Sequence, residues 1–434
     1  MAVGSPASIK VRRRFLVFDG GIIRSFFMAV GILILFRVLQ YFPGMSIFNE
    51  LWIVLLGLFL STTYLFDKAK DGWSFLSFEL YVLLALVMLP LWTGLAAHFE
   101  FGQPFAFGAL ANRNVFLMVG ALFIMYMVKH RKINVKDIER ALCWLAWCTL
   151  ILFVLINMLL DPTHFMDYKG GFVGGGGSSE ASFKFNTLFI IFGFYYYIFQ
   201  GFRYKSRKFY MYGMLFLAYL VFLDGGRSLL LSVFLSCFYF IWRWASWRKL
   251  FVLMPKFLLG IVLAVGLAIV VNPSGVLSVA TKFVDAFTVV ATGEKSNDAS
   301  ANARILESAI ALPYIQKHWA FGNGKLSNKW HDGYEGQFGY FFPSDIGVIG
   351  VLYIYGFLGL LFFLGQFYYA ISIANKLPYS PLLDGVKGFL LYFILHSVVT
   401  GRFVHFAEIS LFFIAILYCM KIEAKRVRGV MPSV

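Results

Sequence analysis

The sequence predicts an all-α polytopic membrane protein with about twelve transmembrane helices and one large extracytoplasmic loop. Hydrophobic residues make up 60% of the chain, aromatic residues 19% and charged residues only 14%, which excludes an ordinary soluble domain. Apolar runs of about 20 residues, the length that crosses a hydrocarbon core, recur along the chain. Between Asn272 and Pro343 the chain leaves this series for a single long hydrophilic segment.

The runs are apolar on every face, which is typical of membrane helices rather than of barrel strands. In chain order, the twelve predicted spans are Ile22–Tyr41, Ile47–Phe66, Phe75–Leu95, Val115–Val128, Ala141–Leu160, Ser182–Phe202, Phe209–Leu223, Ser228–Trp242, Leu250–Val271, Asp345–Gln366, Lys387–Thr400 and Phe403–Met420. They divide the chain into three parts. Residues 1–271 hold the first nine spans, residues 272–343 form the long loop, and residues 344–434 hold the last three spans and a basic tail.

Basic residues gather in alternate loops of this arrangement. Three arginines precede the first span, five bases lie between residues 129 and 140, and four lie in the tail between residues 421 and 428. The intervening loops hold isolated bases. This positive-inside pattern predicts that both termini are cytoplasmic and that the long loop lies outside. The net charge of +16 therefore indicates membrane anchoring, and no nucleic-acid partner is expected.

Charged groups close to a bilayer are costly, so those on the outer side are candidates for function. Arg227 follows Asp224 in a tight turn between the seventh and eighth spans. Arg304 lies in a helix predicted over Ser300–Leu312 and ended by Pro313. Each arginine could simply pair with a nearby carboxylate, Asp224 or Glu307. Alternatively, their planar guanidinium groups bind the oxygen atoms of a phosphate.

Other polar groups are predicted on the same side. Arg402, His405 and Glu408 recur every three residues at the start of the last span, which fits a lined cavity as well as capping and snorkelling. In the long loop, Lys325 and His331 alternate with aromatic residues, Tyr334 among them. Such a mixture suits the faces of sugars or the membrane interface.

A glycine-rich segment, residues 170–177, precedes the sixth span and continues into Glu180. It lacks the Lys-Ser/Thr ending of a P-loop. It is either a flexible linker or an anion seat made of backbone amides, with Glu180 and Lys184 nearby.

Three stretches give the chain a family resemblance. They are Asp224-Gly-Gly-Arg227-Ser-Leu-Leu-Leu, then Arg304-Ile-Leu-Glu307 followed by Trp319-Ala-Phe-Gly322-Asn-Gly324, and finally Ser344-Asp345-Ile-Gly-Val-Ile-Gly running to Tyr355-Gly356-Phe-Leu-Gly359. Their order, over roughly residues 140–420, resembles the O-antigen ligase / O-antigen polymerase superfamily of bacterial envelope glycosyltransferases.

The sequence departs from the ligase pattern at one position. That pattern has a His-Asn pair about eleven residues before the first glycine of the Gly-x-x-Gly ending, and counting back from Gly356 gives Asp345. This difference favours a polymerase-like member in which a carboxylate serves instead.

The resemblance implies a site at the outer face of the bacterial cytoplasmic membrane, with a donor glycan carried on a polyprenyl diphosphate. Three arginines are then expected to bind the diphosphate, one carboxylate to act as base with a second in reserve, and four further side chains to contact substrate. In that order these residues are Arg227, Arg304 and Arg402; Asp345 and Glu180; and Lys325, His331, Tyr334 and His405. Neither a cofactor nor a metal ion is expected, because no metal-ligand cluster is visible. Membrane lipid and a chain-length regulator protein are the other expected partners.

Three other functions stay open at this stage. The first is a ligase that passes the lipid-linked glycan to a lipid A core or to another acceptor. A transporter of polysaccharide units is the second, although the chain has no convincing internal repeat and its outer loop is larger than transport requires. A structural or sensory membrane protein is the third.

Overall fold

The fold is a bundle of packed α-helices. A computed structural model of the protein describes residues 20–38, 45–71, 77–165, 173–174, 182–183, 185–224, 226–244 and 299–427. The predicted ninth span, Leu250–Val271, and the predicted site residue Glu180 lie outside the described residues. Within the described residues, the only strands are a short antiparallel pair, Val173–Gly174 (β1) with Ser182–Phe183 (β2).

In the described residues up to Leu159, helices overlap each predicted span, because a helix satisfies the backbone groups of an apolar run internally, although several ends differ from the predicted bounds. The helices are α1 Gly20–Leu35, α2 Met45–Phe59, α3 Leu65–Asp71, α4 Ser77–Phe101, α5 Phe105–Ala111, α6 Val119–Lys129 and α7 Val135–Leu159. A π-helical turn, Leu60–Tyr64, joins α2 to α3. A 50° bend separates α5 from Arg113–Lys129. The predicted span Val115–Val128 is thus the second arm of a broken helix.

Eight further helices follow in the described residues after Leu159. They are α8 Leu188–Tyr204, α9 Arg207–Tyr219, α10 Arg227–Trp244, α11 Ala299–Lys317, α12 Gly333–Phe338, α13 Gly347–Ala374, α14 Pro381–Val399 and α15 Arg402–Val427. The expected helix end before Pro313 is wrong, because Pro313 lies inside α11. Its missing N–H removes one backbone hydrogen bond, and the helix continues for only four residues beyond it.

Six described helices are long and apolar enough to cross a membrane, or seven if the bent pair counts as one span. They are Glu50–Asp67, Ser77–Phe101, Val135–Leu159, Gly347–Ala374, Pro381–Val399 and Arg402–Val427, with Phe105–Ala111 and Arg113–Lys129 as the bent pair. The protein is therefore a multi-pass membrane protein. The count of twelve crossings and the three-part division of the chain stay predictions.

Helix α15 lies at the centre of the bundle. It is buried along almost its whole length and packs against α6, α13 and α14. In turn, α14 packs against α8 and α10. The short connection between α14 and α15, residues 400–401, consequently lies in the middle of one end of the molecule.

Side-chain contacts divide the bundle into two ends. One end, called the inner end here, gathers the predicted cytoplasmic loops through the pairs Arg24–Asp137, Val135–Glu423 and Arg203–Asp384. The opposite, outer end gathers the predicted outer loops through Asn186–Phe36, Ser228–His396, Lys317–Glu100 and Gly401–Ser344. The alternation of loops between two ends agrees with the basic pattern of the sequence. Which end faces the cytoplasm stays a prediction.

The loop after α11 is locked into a break in α13. Gly356 has φ +64° and ψ −170° inside that helix, so the backbone groups around it are free to bond elsewhere. The amides of Asn323 and Gly324 donate to the carbonyl oxygens of Tyr353 and Ile354, at 2.7 and 3.0 Å. In return, the amide of Phe357 donates to the carbonyl oxygen of Trp319 at 2.8 Å.

Glycine is required on both sides of this junction. A Cβ on Gly322 would lie 2.5 Å from the backbone nitrogen of Gly356, and a Cβ on Gly356 would lie 2.4 Å from the oxygen of Ala320. Both residues have positive φ, a conformation that glycine adopts far more readily than residues with a Cβ. The two glycine motifs of the sequence are therefore two halves of one structural junction.

Candidate functional site

Three helices contact one another at His396, near the end of α14, and two more helix ends lie in the same region at the outer end of the bundle. The start of α10 reaches it through Ser228, and the start of α15 reaches it through Arg402. Arg304 of α11 lies within electrostatic range of His396. The start of α13 joins the same region because the amide of Gly401 donates to the oxygen of Ser344 at 2.7 Å.

His396 is almost fully buried, with 2% of its surface exposed. Its Nδ1 lies 3.2 Å from Nε of Arg402 and 2.9 Å from the hydroxyl of Tyr392, one turn earlier on the same helix. Its Nε2 lies 3.3 Å from Oγ of Ser228. One imidazole thus connects three helices.

Two of the three predicted arginines keep guanidinium N–H donors that bind no other group among the described residues. Within the described residues, Arg304 forms no ion pair, and the terminal nitrogens of Arg402 form no hydrogen bond. Both side chains are half-buried. Asp224 lies within electrostatic range of Arg402 without bonding to it. Such guanidinium groups can bind an anion. Their free N–H groups can donate to its oxygen atoms, and the anion would compensate a charge that is partly removed from water.

Arg227 is the first residue of α10 and directly precedes Ser228, the residue that contacts His396. Its side chain is half-buried and engages other groups of the protein. The three arginines come from helices that are far apart in the sequence. They lie at the same end of the bundle.

Glu307 lies one turn beyond Arg304 and is fully buried. The expectation that these two residues form an ion pair on an exposed face is therefore wrong. Oε1 of Glu307 accepts a hydrogen bond from the amide of Phe342 at 3.1 Å, whereas Oε2 has no partner among the described residues. Burial raises the pKa of Glu307 to about 7; Asp345 adds to the rise, and the Phe342 amide and Arg304 oppose it.

Asp345 lies exposed just before α13, where its Oδ1 accepts a hydrogen bond from the Ser344 hydroxyl at 3.1 Å. The segment is pressed against the end of α14, since a Cβ on Gly347 would lie 2.1 Å from the oxygen of Val398. Asp345 thus stands at the rim of the region that contains Arg304 and Arg402. Glu180, the reserve base, lies outside the described residues.

Lys325 and His405 belong to a second basic group beside the first. Arg37, at the end of α1, pairs with Glu408 at 3.0 Å and donates to the oxygen of His405 at 3.3 Å. Lys325 is 8% exposed, and its Nζ donates to the oxygen of Val404 at 3.4 Å. Burial lowers the pKa of Lys325 to about 8, with Glu408 opposing the shift.

The ring of Phe406 lies between these two groups. The guanidinium carbon of Arg402 is 5.2 Å from its centroid and that of Arg37 is 5.6 Å away. Phe406 has non-helical backbone angles, φ −135° and ψ 26°. The three-residue spacing of Arg402, His405 and Glu408 therefore does not place them on one regular helical face.

Tyr334 and His331 lie farther along the loop and differ in environment. Tyr334 is buried, donates from its hydroxyl to the oxygen of Gly324 at 3.2 Å and packs edge-on against Phe341. His331 is exposed and has a positive φ of 45°. The described contacts bring neither residue to His396, and Tyr334 in particular serves the packing of the loop.

Sequence reasoning missed His396, Tyr392 and Arg37. A signal for the first was available: His396 is an ionisable residue inside an apolar run, which by itself marks a candidate functional group. Tyr392 lies four residues before it, on the same helical face. Arg37 was hidden within the predicted first span. No comparable signal shows that it would pair with Glu408, 371 residues later.

Within the described residues, no group of three or more His, Cys, Asp or Glu side chains is placed to hold a metal ion. The metal-independent reaction stays a prediction.

A search among characterised proteins gives no match. Residues 212–364 match the family model described as O-Antigen ligase. The matched segment contains Arg227, Arg304, both glycine motifs and Asp345. This match, which covers less than half of the chain, supports the resemblance to the O-antigen ligase / O-antigen polymerase superfamily.

Proposed function

We propose that the protein is a membrane glycosyltransferase that polymerises oligosaccharide repeat units linked to polyprenyl diphosphate, at the outer face of the cytoplasmic membrane. One observation carries the proposal: at the outer end of the bundle a buried histidine contacts Nε of Arg402 and the residue after Arg227, and it lies within electrostatic range of Arg304. This is the place where a lipid-linked donor would present its phosphates.

The chemistry of transfer explains why arginines are needed. The acceptor hydroxyl oxygen attacks the anomeric carbon of the donor sugar, and the bond between that carbon and the phosphate oxygen breaks. Negative charge then grows on the departing diphosphate. In a partly dry site, fixed cationic groups directed at the growing charge supply the largest share of catalysis. Arg227, Arg304 and Arg402 would hold the diphosphate.

The proton of the acceptor hydroxyl needs a base. Asp345 is exposed at the rim of the site, its carboxylate accepts a hydrogen bond only from Ser344 among the described residues, and it is the first choice. Glu180 is the reserve. The second basic group, with Lys325 and His405, would contact the rest of the substrate.

A ligase is the second candidate, because the matching family model is described as O-Antigen ligase. The absence of the His-Asn pair before Gly356 favours a polymerase instead. Purified protein reconstituted with lipid-diphosphate-linked repeat units separates the functions. A ladder of longer products supports a polymerase, a single transfer to a distinct acceptor supports a ligase, and movement across the vesicle wall without a new glycosidic bond supports a transporter.

Alanine variants test the site itself. Arg227→Ala and Arg304→Ala should each lower turnover by roughly 100-fold or more, as loss of a charge-stabilising donor commonly does, with folded protein still in the membrane. Lys329→Ala removes an exposed positive charge from the same loop and should leave turnover unchanged. Unaltered turnover in either arginine variant would remove that arginine from the site.

Asp345→Asn tests the base. The variant should still bind the lipid-linked donor but fail in the chemical step, because an amide does not accept the acceptor proton. Full activity would transfer the role of base to Glu180 or to a histidine such as His331.

A further inference from the structure

We propose that His396 is a positioning residue that stays neutral, orients Arg402 towards the diphosphate and ties the first turn of α10, with Arg227, to the same site. The proposal deepens the proposed function, since it assumes that the arginines bind a diphosphate. It rests on the three contacts of the buried imidazole with Arg402, Tyr392 and Ser228.

The contacts assign the tautomer of the ring. Nε of Arg402 carries a hydrogen and can only donate, so Nδ1 of His396 at 3.2 Å must accept. The Tyr392 hydroxyl, 2.9 Å from Nδ1, donates to the same atom. The ring hydrogen is then on Nε2, where it faces Oγ of Ser228 at 3.3 Å. A hydrogen on Nδ1 would point at the Nε–H of Arg402, so the charged imidazolium does not fit.

This arrangement fixes the direction of Arg402. One donor of its guanidinium is used on the histidine, and the Phe406 ring lies 5.2 Å from its central carbon. The two terminal nitrogens keep their donors for a pair of phosphate oxygens, which the planar group can bind together. Because Nδ1 is occupied by an arginine donor, His396 is not placed to take a proton from the acceptor hydroxyl.

The other side of the ring holds α10. Oγ of Ser228 accepts from His396, while the carbonyl oxygen of Ser228 accepts from the Ser232 hydroxyl at 2.7 Å. Arg227 directly precedes Ser228, so the histidine fixes the starting point of the helix that carries it. A single buried ring thus sets the relative positions of two diphosphate arginines.

Two substitutions separate positioning from proton transfer. In His396→Gln the side-chain oxygen can accept from Arg402 and the amide nitrogen can donate to Ser228, whereas His396→Leu offers neither bond. We expect the leucine variant to bind a short-chain polyprenyl diphosphate at least about 10-fold more weakly and to turn over substrate roughly 10- to 100-fold more slowly. The glutamine variant should stay within a few-fold of the wild type in both measurements.

A double-mutant cycle with Arg402→Ala adds a second test. If His396 acts through Arg402, the leucine substitution has much less effect on binding when the arginine is absent, because residues in direct contact are coupled. Fully additive effects, or a folded glutamine variant as inactive as the leucine variant, would overturn the proposal.

The binding measurement separates this proposal from the proposed function. Unchanged diphosphate binding in His396→Leu would overturn the positioning role even if chains still polymerise. Weakened binding that glutamine restores, in a protein that forms no glycosidic bond, would support the positioning role and contradict only the polymerase assignment.

Discussion

Arginines at the outer end of the bundle differ in what they contact. Arg37 is paired with the buried Glu408 at 3.0 Å, and Arg113 lies 3.5 Å from the exposed Glu50. Within the described residues, Arg304 has no such carboxylate. Arg402 bonds instead to a neutral imidazole. Charge alone therefore does not mark the site, and within the described residues Arg304 and Arg402 share the lack of a carboxylate ion pair.

Lysine substitution tests whether the shape of the guanidinium matters. Arg304→Lys and Arg402→Lys keep the charge but lose the planar fork that binds two phosphate oxygens, so turnover should fall roughly 10- to 100-fold. Arg113→Lys, at an exposed position, is the matched control and should leave turnover unchanged. Initial rates with a lipid-diphosphate-linked repeat unit measure the difference. Full activity of both site variants would show that only the net charge matters.

Glu307 predicts a pH dependence of stability. Burial raises its pKa to about 7, so the folded protein binds a proton that the unfolded chain releases at lower pH. The stabilisation is complete below the ordinary glutamate pKa and is lost as the pH rises through about 7. Glu307→Gln should flatten the fall in melting temperature between about pH 5 and about pH 8. An unchanged slope would show that the Glu307 carboxyl does not titrate in this range.

At the scale of elements, the two glycine motifs were expected only as marks of a family. The structure gives them a physical reason, which is the exchange of backbone hydrogen bonds between residues 319–324 and the break in α13. Sequence periodicity cannot show such a junction, because the apolar pattern continues through Gly356 without interruption. For the same reason, the apolar pattern of α15 does not reveal the irregular backbone at Phe406.

Two glycines of α13 make a matched pair for testing the junction. Gly356→Ala places a Cβ 2.4 Å from the oxygen of Ala320 at a positive φ, which should destabilise the fold by about 1–3 kcal/mol. Gly365→Ala lies on the same helix, where a Cβ meets nothing within 4 Å, so it should be neutral or slightly stabilising. Thermal unfolding in detergent compares them. Equal melting temperatures would contradict the junction.

Helix bounds were predictable where apolar runs end in polar or glycine residues, as both ends of α10 show, whereas α4 continues to Phe101 beyond the predicted Leu95 and α7 begins at Val135 before the predicted Ala141. They were less so where proline was read as a stop. Pro313 lies inside α11, which continues for four residues beyond it. The rule that proline ends a helix is local. It does not account for contacts with other helices, such as Lys317–Glu100, that stabilise the last turn.

For the whole molecule, the basic loops predicted two ends, and the contacts within the described residues agree with that division. The distribution of basic residues among the loops was sufficient for this prediction, because Lys and Arg residues close to a membrane span set its orientation. The meeting of Arg227, Arg304 and Arg402 in one site was expected only from the family resemblance, and its centre at His396 was not predicted. It depends on how α10, α11, α14 and α15 pack, and no local pattern encodes packing between distant helices.

Cysteine labelling tests the orientation of the two ends. Gln337 lies exposed in the long loop, and Lys136 lies exposed in the first turn of α7 at the inner end; each is replaced by cysteine in turn. In a background where the exposed Cys148 is replaced by serine, a membrane-impermeant thiol reagent added from outside should react with the first position only. Reaction at Lys136→Cys alone would invert the orientation and place the candidate site in the cytoplasm.

The most direct measurement follows both products of the reaction in vesicles that contain purified protein and a polyprenyl-diphosphate-linked repeat unit. Polymerisation predicts one released polyprenyl diphosphate for each glycosidic bond formed. The double variant Arg304→Ala, Arg402→Ala should form neither product. Lys329→Ala should form both. Chain growth that continues in the folded double variant, or a wild-type protein that consumes the lipid without forming a glycosidic bond, would contradict the arginine-based glycosyl transfer.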